Sequence, residues 1–369
     1  MDFRGHQLGY VPELDGMRGF AICAVLITHA GPAYFRAQYI GQGGFIGVDV
    51  FFVLSGFLIT ALLVKEYDRA NGVNLKQFYM RRALRLAPAL ILMLLTFIGL
   101  SVLFLDEAKV ESNLLDVLLA LFYSANWARA FNIHPPDFLA HTWSLSVEEQ
   151  FYILWPVILI IFLRHIRSRW QIVSIVSLLS LCSWALRIYL ASNGASIDRL
   201  FNGLDTRADA LLVGCVVGIV LSSNLLSDTC QNSLAKGLRF ITPLSAITLV
   251  FVGCIMDWHS LQMYYWLFFI VECLTAIIIL DVFVSRHSFV KSILATRSIV
   301  WIGRISYGLY LWHFPVYRTL ESVGYRGMTI VYGTWLTFLI ASLSYYCLER
   351  PCLKLKRYAN PRNLAAASG

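Results

Sequence analysis

Apolar runs of about twenty residues recur along the whole chain and leave few folds open to it. In helical form, a run of this length crosses the roughly 30 Å hydrocarbon core of a bilayer. Hydrophobic residues make up 58% of the 369 positions and charged residues 14%, which excludes an ordinary soluble domain. The sequence therefore predicts an all-α polytopic membrane protein with about ten transmembrane helices. The predicted spans lie near 17–36, 43–64, 86–105, 143–163, 171–191, 208–222, 240–256, 261–284, 299–317 and 328–349.

The charged residues between these runs predict the orientation of the helices. A further apolar stretch at 114–124 is too short to cross comfortably, so we expect it to be interfacial or re-entrant. If it does not cross, a cytoplasmic N-terminus places most of the 30 Lys and Arg residues on the cytoplasmic side. Because cytoplasmic loops are enriched in these residues, we expect both termini in the cytoplasm. Basic loops beside anionic lipid account for most of the net charge of +8, so no nucleic-acid partner is expected.

One membrane domain is expected over residues 1–362, because the chain shows no internal repeat and no polar linker to a soluble domain. Residues 363–369 are interpreted as a disordered tail or a remnant of cloning. The first sixteen residues are polar and lack the apolar core of a secretory signal peptide. Eight cysteines are scattered without the spacing of a disulfide framework or a metal site, so no metal is expected.

The first predicted span carries ionisable residues on one face. Arg18 and His29 are eleven residues apart, which places them about 16 Å apart along one stripe of a helix, and Asp15 lies close to the same stripe. Ionisable groups inside a membrane are costly and usually face a protein interior or a water-filled cavity. A histidine that simply packs against a neighbouring helix is the alternative. The shared stripe favours a polar track that leads inward from the cytoplasm.

Two arginines begin the third span. Arg82 and Arg85 are three residues apart and project side by side from a helix. One interpretation is that they anchor the helix by reaching lipid phosphate, as arginines at cytoplasmic helix ends commonly do. Their pairing, together with Arg18, favours a second interpretation, in which forked guanidinium groups bind the phosphates of a cytosolic ligand.

Polar residues also interrupt other spans. In the second span, Gly43 and Gly47 have the spacing of a close helix contact. Ser55, next to Gly56, is a candidate for close approach of a backbone or a ligand. So many polar groups imply a polar cavity through the helix bundle, and the further candidates for its lining are Asp49, Arg207, Asp209, Glu272 and His313.

A polar cluster marks the predicted outer end of the fourth span. It contains His141, Ser144, Glu148 and Glu149. Acidic residues in the first turn of a solvated helix would explain it without any function. A carboxylate pair beside a histidine would otherwise orient a hydroxylic substrate or carry protons.

Six blocks of sequence, in order and over nearly the whole chain, resemble the acyltransferase-3 family of integral membrane acyltransferases. They are "ELDGMRGFAICAVLITHAG", "GGFIGVDVFFVLSGFLIT", "RRALRLAPAL", "HTWSLSVEEQFYILWP", "IGRISYGLYLWHFPV" and "LERP". The Arg-x10-His feature of the family corresponds to Arg18 and His29, and its Arg-x-x-Arg feature to Arg82 and Arg85. Some members carry a C-terminal SGNH hydrolase-like domain, and we expect a member without it.

The resemblance implies an activity and a location. The family moves an acyl group, most often acetyl, from cytosolic acyl-coenzyme A (acyl-CoA) to a hydroxyl of a glycan or another acceptor. We therefore expect acyl-CoA as the donor, a sugar hydroxyl of an exopolysaccharide, O-antigen or lipo-oligosaccharide as the acceptor, and the bacterial inner membrane as the location. O-acylation of a small non-glycan acceptor is an alternative.

Together, the residues and the resemblance predict a mechanism. The phosphates of acyl-CoA would bind near Arg18, Arg82 and Arg85, and the pantetheine arm would extend toward His29. His29 would deprotonate the acceptor or become acylated itself, with Glu149 and His141 as further catalytic candidates.

Two rival functions stay open at this stage. A proton-coupled transporter of a small anionic solute would also contain buried ionisable residues, although it would be expected to show inverted repeats. A membrane-embedded hydrolase would use Ser55 or Ser144 as its nucleophile, although neither serine lies in a G-x-S-x-G motif.

Overall fold

The computed structural model describes residues 9–30, 42–104, 107–322, 324 and 329–355, and the regular secondary structure of these residues is helical. The helices are α1 (Pro12–Ala30), α2 (Gly47–Ala70), α3 (Leu75–Phe104), α4 (Glu107–Leu121), α5 (Ala125–Ala130), α6 (Thr142–His165), α7 (Arg169–Ser192), α8 (Ile197–Asn202), α9 (Leu204–Ser222), α10 (Asp228–Ile255), α11 (Phe268–Val284), α12 (Phe289–Leu294), α13 (Arg297–Arg304), α14 (Ser306–Ser322), α15 (Thr334–Ser344) and α16 (Arg350–Leu355).

Shorter helical turns extend several of these elements. A 3-10 turn at Gln42–Ile46 leads into α2, and a π turn at Met263–Leu267 leads into α11. Two further π turns, Thr329–Gly333 and Tyr345–Glu349, flank α15.

Seven helices in the described part of the chain are long and apolar enough to cross a membrane. They are Gln42–Ala70, Leu75–Phe104, Thr142–His165, Arg169–Ser192, Asp228–Ile255, Met263–Val284 and Val331–Lys354. Each corresponds to one of the predicted spans. The prediction of an all-α polytopic membrane protein is confirmed.

The described parts of the other three predicted spans are helical but differ from simple apolar spans, and residues 31–36 of the first lie outside the described residues. Helices α1 and α9 are only 19 residues long, and each carries three charged side chains. The segment predicted as 299–317 is divided at Ile305 into α13 and α14. The count of ten and the cytoplasmic termini therefore remain predictions.

The stretch predicted to be interfacial belongs to α4, which has 15 residues and is not among the seven candidate spans. The predicted tail at 363–369 lies outside the described residues.

Close contacts between helix backbones hold the centre of the bundle together. A side chain at Gly56 of α2 would collide with the Leu211 carbonyl of α9, and one at Gly47 would collide with the Ala21 carbonyl of α1. Gly43 lies equally close to the backbone of α10 at Val252. The close helix contact predicted from Gly43 and Gly47 is therefore present, and Gly56 admits a neighbouring backbone.

Long side chains connect α3 with α6, and the order of these contacts shows that the two helices run antiparallel. The Tyr79 hydroxyl donates to the Ile153 carbonyl oxygen at 2.9 Å. About one turn further along each helix, Arg82 pairs with Glu149. This register brings the arginines of the third predicted span level with the carboxylates of the fourth.

Helices α1 and α14 run parallel to each other. Near their start, Asp15 lies against Gly303, just before α14 begins. The His29 ring near the end of α1 and the His313 ring in the middle of α14 are 5.0 Å apart between centroids. The start of α14 therefore lies near the start of α1, and His313 lies level with His29.

Candidate active site

A cavity of about 100 Å³, here called the arginine pocket, lies between α1, α2, α3, α6 and α14. Its polar lining brings together residues from motifs that are far apart in the sequence. These are Arg18, Ser55, Arg82, Arg85, Tyr123, Ser144, Glu148, Glu149, Tyr152, Ser306, Tyr307 and Tyr310.

The pocket corrects one expectation from the sequence. The carboxylates of the fourth span were expected at its outer end, away from the arginines. Instead, Arg82 forms a forked ion pair with Glu149, in which Nη2 lies 2.6 Å and Nε 3.1 Å from Oε1. The antiparallel register of α3 and α6 places both groups at one depth, so the placement of Glu148 and Glu149 at a separate outer mouth is wrong.

The three arginines of the pocket differ in what they contact. Arg18 pairs with Asp15 at 3.2 Å, and Arg82 is held by Glu149. Arg85 is exposed into the pocket and makes no hydrogen bond or ion pair with any described residue. Its guanidinium therefore has donors free for an anionic ligand.

Glu148 is held by two hydroxyl groups rather than by an arginine. The Tyr152 hydroxyl donates to its Oε1 at 2.6 Å, and the Ser55 hydroxyl donates to the same oxygen. Tyr123 adds another phenol to the lining, and burial raises its pKa to about 12, so it remains neutral. The pocket therefore combines charged groups with neutral hydrogen-bond donors.

Three histidines lie together beside the pocket and are here called the histidine cluster: His29, His141 and His313. The His313 ring centroid lies 5.0 Å from that of His29 and 5.4 Å from that of His141. Phe314 stacks on His141 and meets His29 edge to face, with centroids 5.3 Å and 5.2 Å apart. Three predicted site residues from three separate motifs thus share one cluster.

Backbone carbonyls determine which ring nitrogens carry protons. A carbonyl oxygen only accepts, so the Nδ1 atoms of His29 and His313 donate to Val25 and Tyr310 at 3.0 Å and 2.6 Å. His313 Nε2 is then an acceptor and lies 3.3 Å from His29 Nδ1. His29 Nε2 keeps its lone pair, and no described residue binds it.

The same argument applies to the third histidine. His141 Nε2 lies 3.2 Å from the Leu311 carbonyl oxygen and therefore donates to it. His141 Nδ1 is buried and lacks a partner among the described residues. His141 thus has a buried lone pair of its own.

Tyr310 connects the pocket with the histidine cluster. Its hydroxyl lines the pocket, lies within hydrogen-bond distance of the Ser144 hydroxyl, and donates to the His141 carbonyl oxygen at 2.9 Å. Its own carbonyl oxygen accepts from His313. A path of hydrogen bonds through Tyr310 therefore links the lining of the arginine pocket to His141 and His313.

The remaining ionisable candidates lie away from this path, and the structure does not place them in the arginine pocket. Arg207 pairs with Asp49 at 2.5 Å, Arg187 pairs with Asp209 at 2.7 Å, and Glu272 lies 3.9 Å from Arg187. These five side chains are buried between α2, α7, α9 and α11.

Asp15 also falls outside the lining. It accepts from Tyr10 at 3.0 Å as well as from Arg18, and so braces the start of α1.

Sequence reasoning missed two kinds of residue. Arg187 is not among the predicted site residues, although Ser180, Ser183 and Arg187 form a polar stripe on α7 that could have indicated a buried face. Tyr307 and Tyr310 were overlooked because tyrosine is common in membrane helices near the interface. Tyr307, Tyr310 and His313 are each three residues apart, and this spacing could have indicated a shared polar face of the helix.

No group of three or more His, Cys, Asp or Glu residues in the described ranges is arranged to hold a metal ion.

A family model described as "Acyltransferase domain" matches residues 11–349. No solved structure shows a significant match to the chain.

Several curated bacterial proteins are similar to the chain over most of its length. A "Putative O-acetyltransferase" of Staphylococcus aureus strain COL is 34% identical over 361 residues, which cover 94% of this chain and 58% of that protein. The "Putative peptidoglycan O-acetyltransferase YrhL" of Bacillus subtilis strain 168 is 34% identical over 93% of this chain and 55% of its own length. "O-acetyltransferase OatA" of S. aureus strain NCTC 8325 is 32% identical over 355 residues, which cover 94% of this chain and 57% of that protein. The chain thus spans less than three fifths of the relatives that it matches.

Proposed function

The chain belongs to the Acyltransferase domain family of acyltransferases, and on this premise we propose that it transfers an acetyl group from acetyl-CoA to a hydroxyl of a glycan. The observation that carries the proposal is the polar path from the arginine pocket to the histidine cluster. The arginine pocket offers a place for the anionic acyl donor, and the histidine cluster offers a base that can accept a proton.

The donor would bind through its phosphates in the arginine pocket. Guanidinium groups form strong forked hydrogen bonds with phosphate oxygens. Arg85 supplies the open donors, and Arg18 and Arg82 lie beside it with their charges paired to Asp15 and Glu149. Arg18 and His29 are about 16 Å apart along α1, a gap that the extended pantetheine arm can bridge.

His29 would act as the general base. Its Nε2 lone pair accepts the proton of the acceptor hydroxyl while that oxygen bonds to the acyl carbonyl carbon. The carbon–sulfur bond of the thioester breaks, and the imidazolium returns the proton to the thiolate, so coenzyme A leaves as a free thiol. The Nδ1–H of His29 donates to the Val25 carbonyl oxygen and lies 3.3 Å from His313 Nε2, and these two contacts help to orient the ring.

The acceptor proposed is a glycan of the peptidoglycan type. One relative is named for O-acetylation of peptidoglycan, and the others are named as O-acetyltransferases. A multi-pass protein with seven apolar helices would carry out this reaction in the bacterial inner membrane. Exopolysaccharide, O-antigen and lipo-oligosaccharide remain predicted alternatives from the sequence. Family membership lends no support to the transporter alternative.

The test compares envelope glycans from cells with and without the gene by mass spectrometry. The proposal expects an additional ester-linked acetyl group that depends on the gene and is removed by mild base. In parallel, calorimetry with the purified protein in nanodiscs should detect acetyl-CoA binding. Unchanged glycans together with no acetyl-CoA binding would contradict the proposal.

A further inference from the structure

A second cavity, here called the distal cleft, has a volume of about 470 Å³ and lies between α4, the segment before α6 and the end of α14. The lining residues that matter here are Asn113, Asp116, Asp137, Phe138 and Arg318. Small-molecule sites in proteins typically have volumes of roughly 300–1,000 Å³, so the cleft is large enough for a ligand. None of the steps proposed above uses it.

The order of residues along two chain segments places the histidine cluster between the two cavities. On α14, Ser306, Tyr307 and Tyr310 line the arginine pocket. His313 belongs to the cluster, and Arg318 and Glu321 line the distal cleft. At a rise of about 1.5 Å per residue, Arg318 lies about 7.5 Å beyond His313 along the helix. The cleft is therefore next to the cluster on the side away from the arginines.

The second segment, residues 137–148 before and within α6, shows the same order in reverse. Asp137 and Phe138 line the cleft, His141 belongs to the cluster, and Ser144 and Glu148 line the arginine pocket. Two independent pieces of chain thus agree that a donor entering through the pocket and a ligand in the cleft would approach the histidines from opposite sides.

One face of α14 joins the cleft to the histidines directly. Phe314, Arg318 and Glu321 are spaced by four and three residues and so share a helix face. Phe314 stacks on His141 and touches His29, whereas Arg318 and Glu321 line the cleft. A ligand lying along this face would reach Phe314, which borders the His29 ring.

The charges of the cleft indicate what kind of ligand it suits. Arg318 contacts Asp137 and lies 3.3 Å from Glu321, so its charge is compensated within the protein. Asp116 pairs with His134 at 2.7 Å and accepts from the Asp137 backbone N–H at 3.2 Å. Lys109 also lines the cleft, which leaves two positive and three negative side chains in its lining. A strongly charged ligand would have to break the pairs named here. The cleft suits a neutral ligand with many hydroxyl groups.

We propose that the distal cleft binds the acceptor glycan and presents one of its hydroxyl groups to the histidine cluster. This inference rests on the proposed acetyl transfer and assigns the acceptor its own site. Donor and acceptor then meet at His29 from the two sides, and neither has to pass through the site of the other.

The test narrows the cleft without touching the arginine pocket or the histidines. Ser112→Trp fills it from α4, and Ser322→Trp fills it from the end of α14, so two separate walls are tested. The control is Leu118→Trp, which lies on the opposite face of α4 with 49% of its surface exposed. Purified proteins in nanodiscs receive acetyl-CoA and a tetrasaccharide of N-acetylglucosamine as probe, and product formation is followed by mass spectrometry.

The inference expects the KM for the tetrasaccharide to rise at least about tenfold in both cleft variants, equivalent to 1.4 kcal/mol. Acetyl-CoA affinity should be unchanged, and Leu118→Trp should behave like the wild type. An unchanged acceptor KM in both variants, with an active wild type, would overturn the inference. Loss of acetyl-CoA affinity in the cleft variants would also overturn it. A wild type that neither binds acetyl-CoA nor acetylates the probe contradicts the proposed function itself.

Discussion

At the scale of single residues, the three arginines of the pocket are not equivalent. Arg82 is compensated by Glu149 and Arg18 by Asp15, whereas Arg85 forms no ion pair with a carboxylate among the described residues. Removing Arg82 would leave a carboxylate without its partner and would lower stability as well as any binding. Arg85 is therefore the residue whose substitution reports most cleanly on the donor.

Arg85→Ala should weaken acetyl-CoA binding. Charge-assisted hydrogen bonds contribute about 1.5–3 kcal/mol, so the Kd measured by calorimetry should rise by at least about tenfold. Thermal stability should change little, because Arg85 makes no contact that the substitution would leave incomplete.

The matched control is Arg81→Ala, four residues away on the same helix. Arg81 pairs with Glu66 at 3.3 Å and does not line the pocket, so acetyl-CoA affinity should stay unchanged. Equal affinities for wild type, Arg85→Ala and Arg81→Ala would show that Arg85 is only a positively charged anchor at the membrane.

Individual site residues could be read from the sequence because a polar group in an apolar helix is costly and therefore conspicuous. His29, His141 and His313 stand out in this way. The sequence could not predict that these three histidines lie together, because their proximity depends on the relative rotation and depth of helices that are far apart in the chain. The pairing of Arg82 with Glu149 likewise depends on the register of two antiparallel helices.

At the scale of helices, close backbone contact between α2 and α9 holds the site in place. The side of α2 that touches α9 contains Gly56, next to Ser55 of the pocket. A methyl group at Gly56 would collide with the Leu211 carbonyl, and a rigid backbone atom cannot move aside easily. The arrangement of the pocket therefore depends on this glycine.

Gly56→Ala should lower the thermal stability of the protein in detergent and reduce acetyl-CoA affinity, since the two helices would be forced apart. Overpacking of this kind typically costs about 1–3 kcal/mol. The measurement is a thermal unfolding curve followed by intrinsic fluorescence.

The control for this prediction is Gly99→Ala in α3. Gly99 has open space around it, so alanine should be neutral or stabilising by up to about 1 kcal/mol through its better helix propensity. If Gly56→Ala is as stable as Gly99→Ala, the close contact between α2 and α9 does not constrain the bundle.

Helix boundaries were predictable where long apolar runs set them, and less so where charges interrupt the run. Helix α9 carries Asp205, Arg207 and Asp209 and is nevertheless largely buried, because its charged residues pair with other helices instead of facing lipid. Hydropathy alone does not separate such a helix from a simple span.

At the scale of the whole molecule, the account requires the arginine pocket to open toward the cytoplasm, where acyl-CoA is made. The predicted orientation places the loop around 164–170 in the cytoplasm and 106–142 outside. This sidedness is a prediction from the distribution of Lys and Arg residues along the chain.

Cysteine labelling in intact cells tests the orientation. In a variant with its eight native cysteines replaced, Ile133→Cys should react with a membrane-impermeant maleimide, while Arg167→Cys should react only after permeabilisation. Both positions are exposed, so accessibility to the reagent is limited by the membrane. Labelling of Arg167→Cys from outside would reverse the orientation and place the arginine pocket on the wrong side for its donor.

The central claim is that the free Nε2 atom of His29 accepts the proton of the acceptor. His29→Gln keeps much of the size and hydrogen-bonding capacity of the side chain but removes the base. The matched control is His165→Gln, because His165 makes the same Nδ1 contact with the carbonyl four residues earlier, at 3.0 Å, yet lies at the exposed end of α6.

The decisive measurement is acetyl-CoA turnover by both variants in nanodiscs with an acceptor supplied, alongside acetyl-CoA binding by calorimetry. The account predicts that His29→Gln binds the donor normally but turns over roughly 10²-fold more slowly or worse, while His165→Gln matches the wild type. A His29→Gln protein that turns over within a few-fold of the wild type would contradict the account.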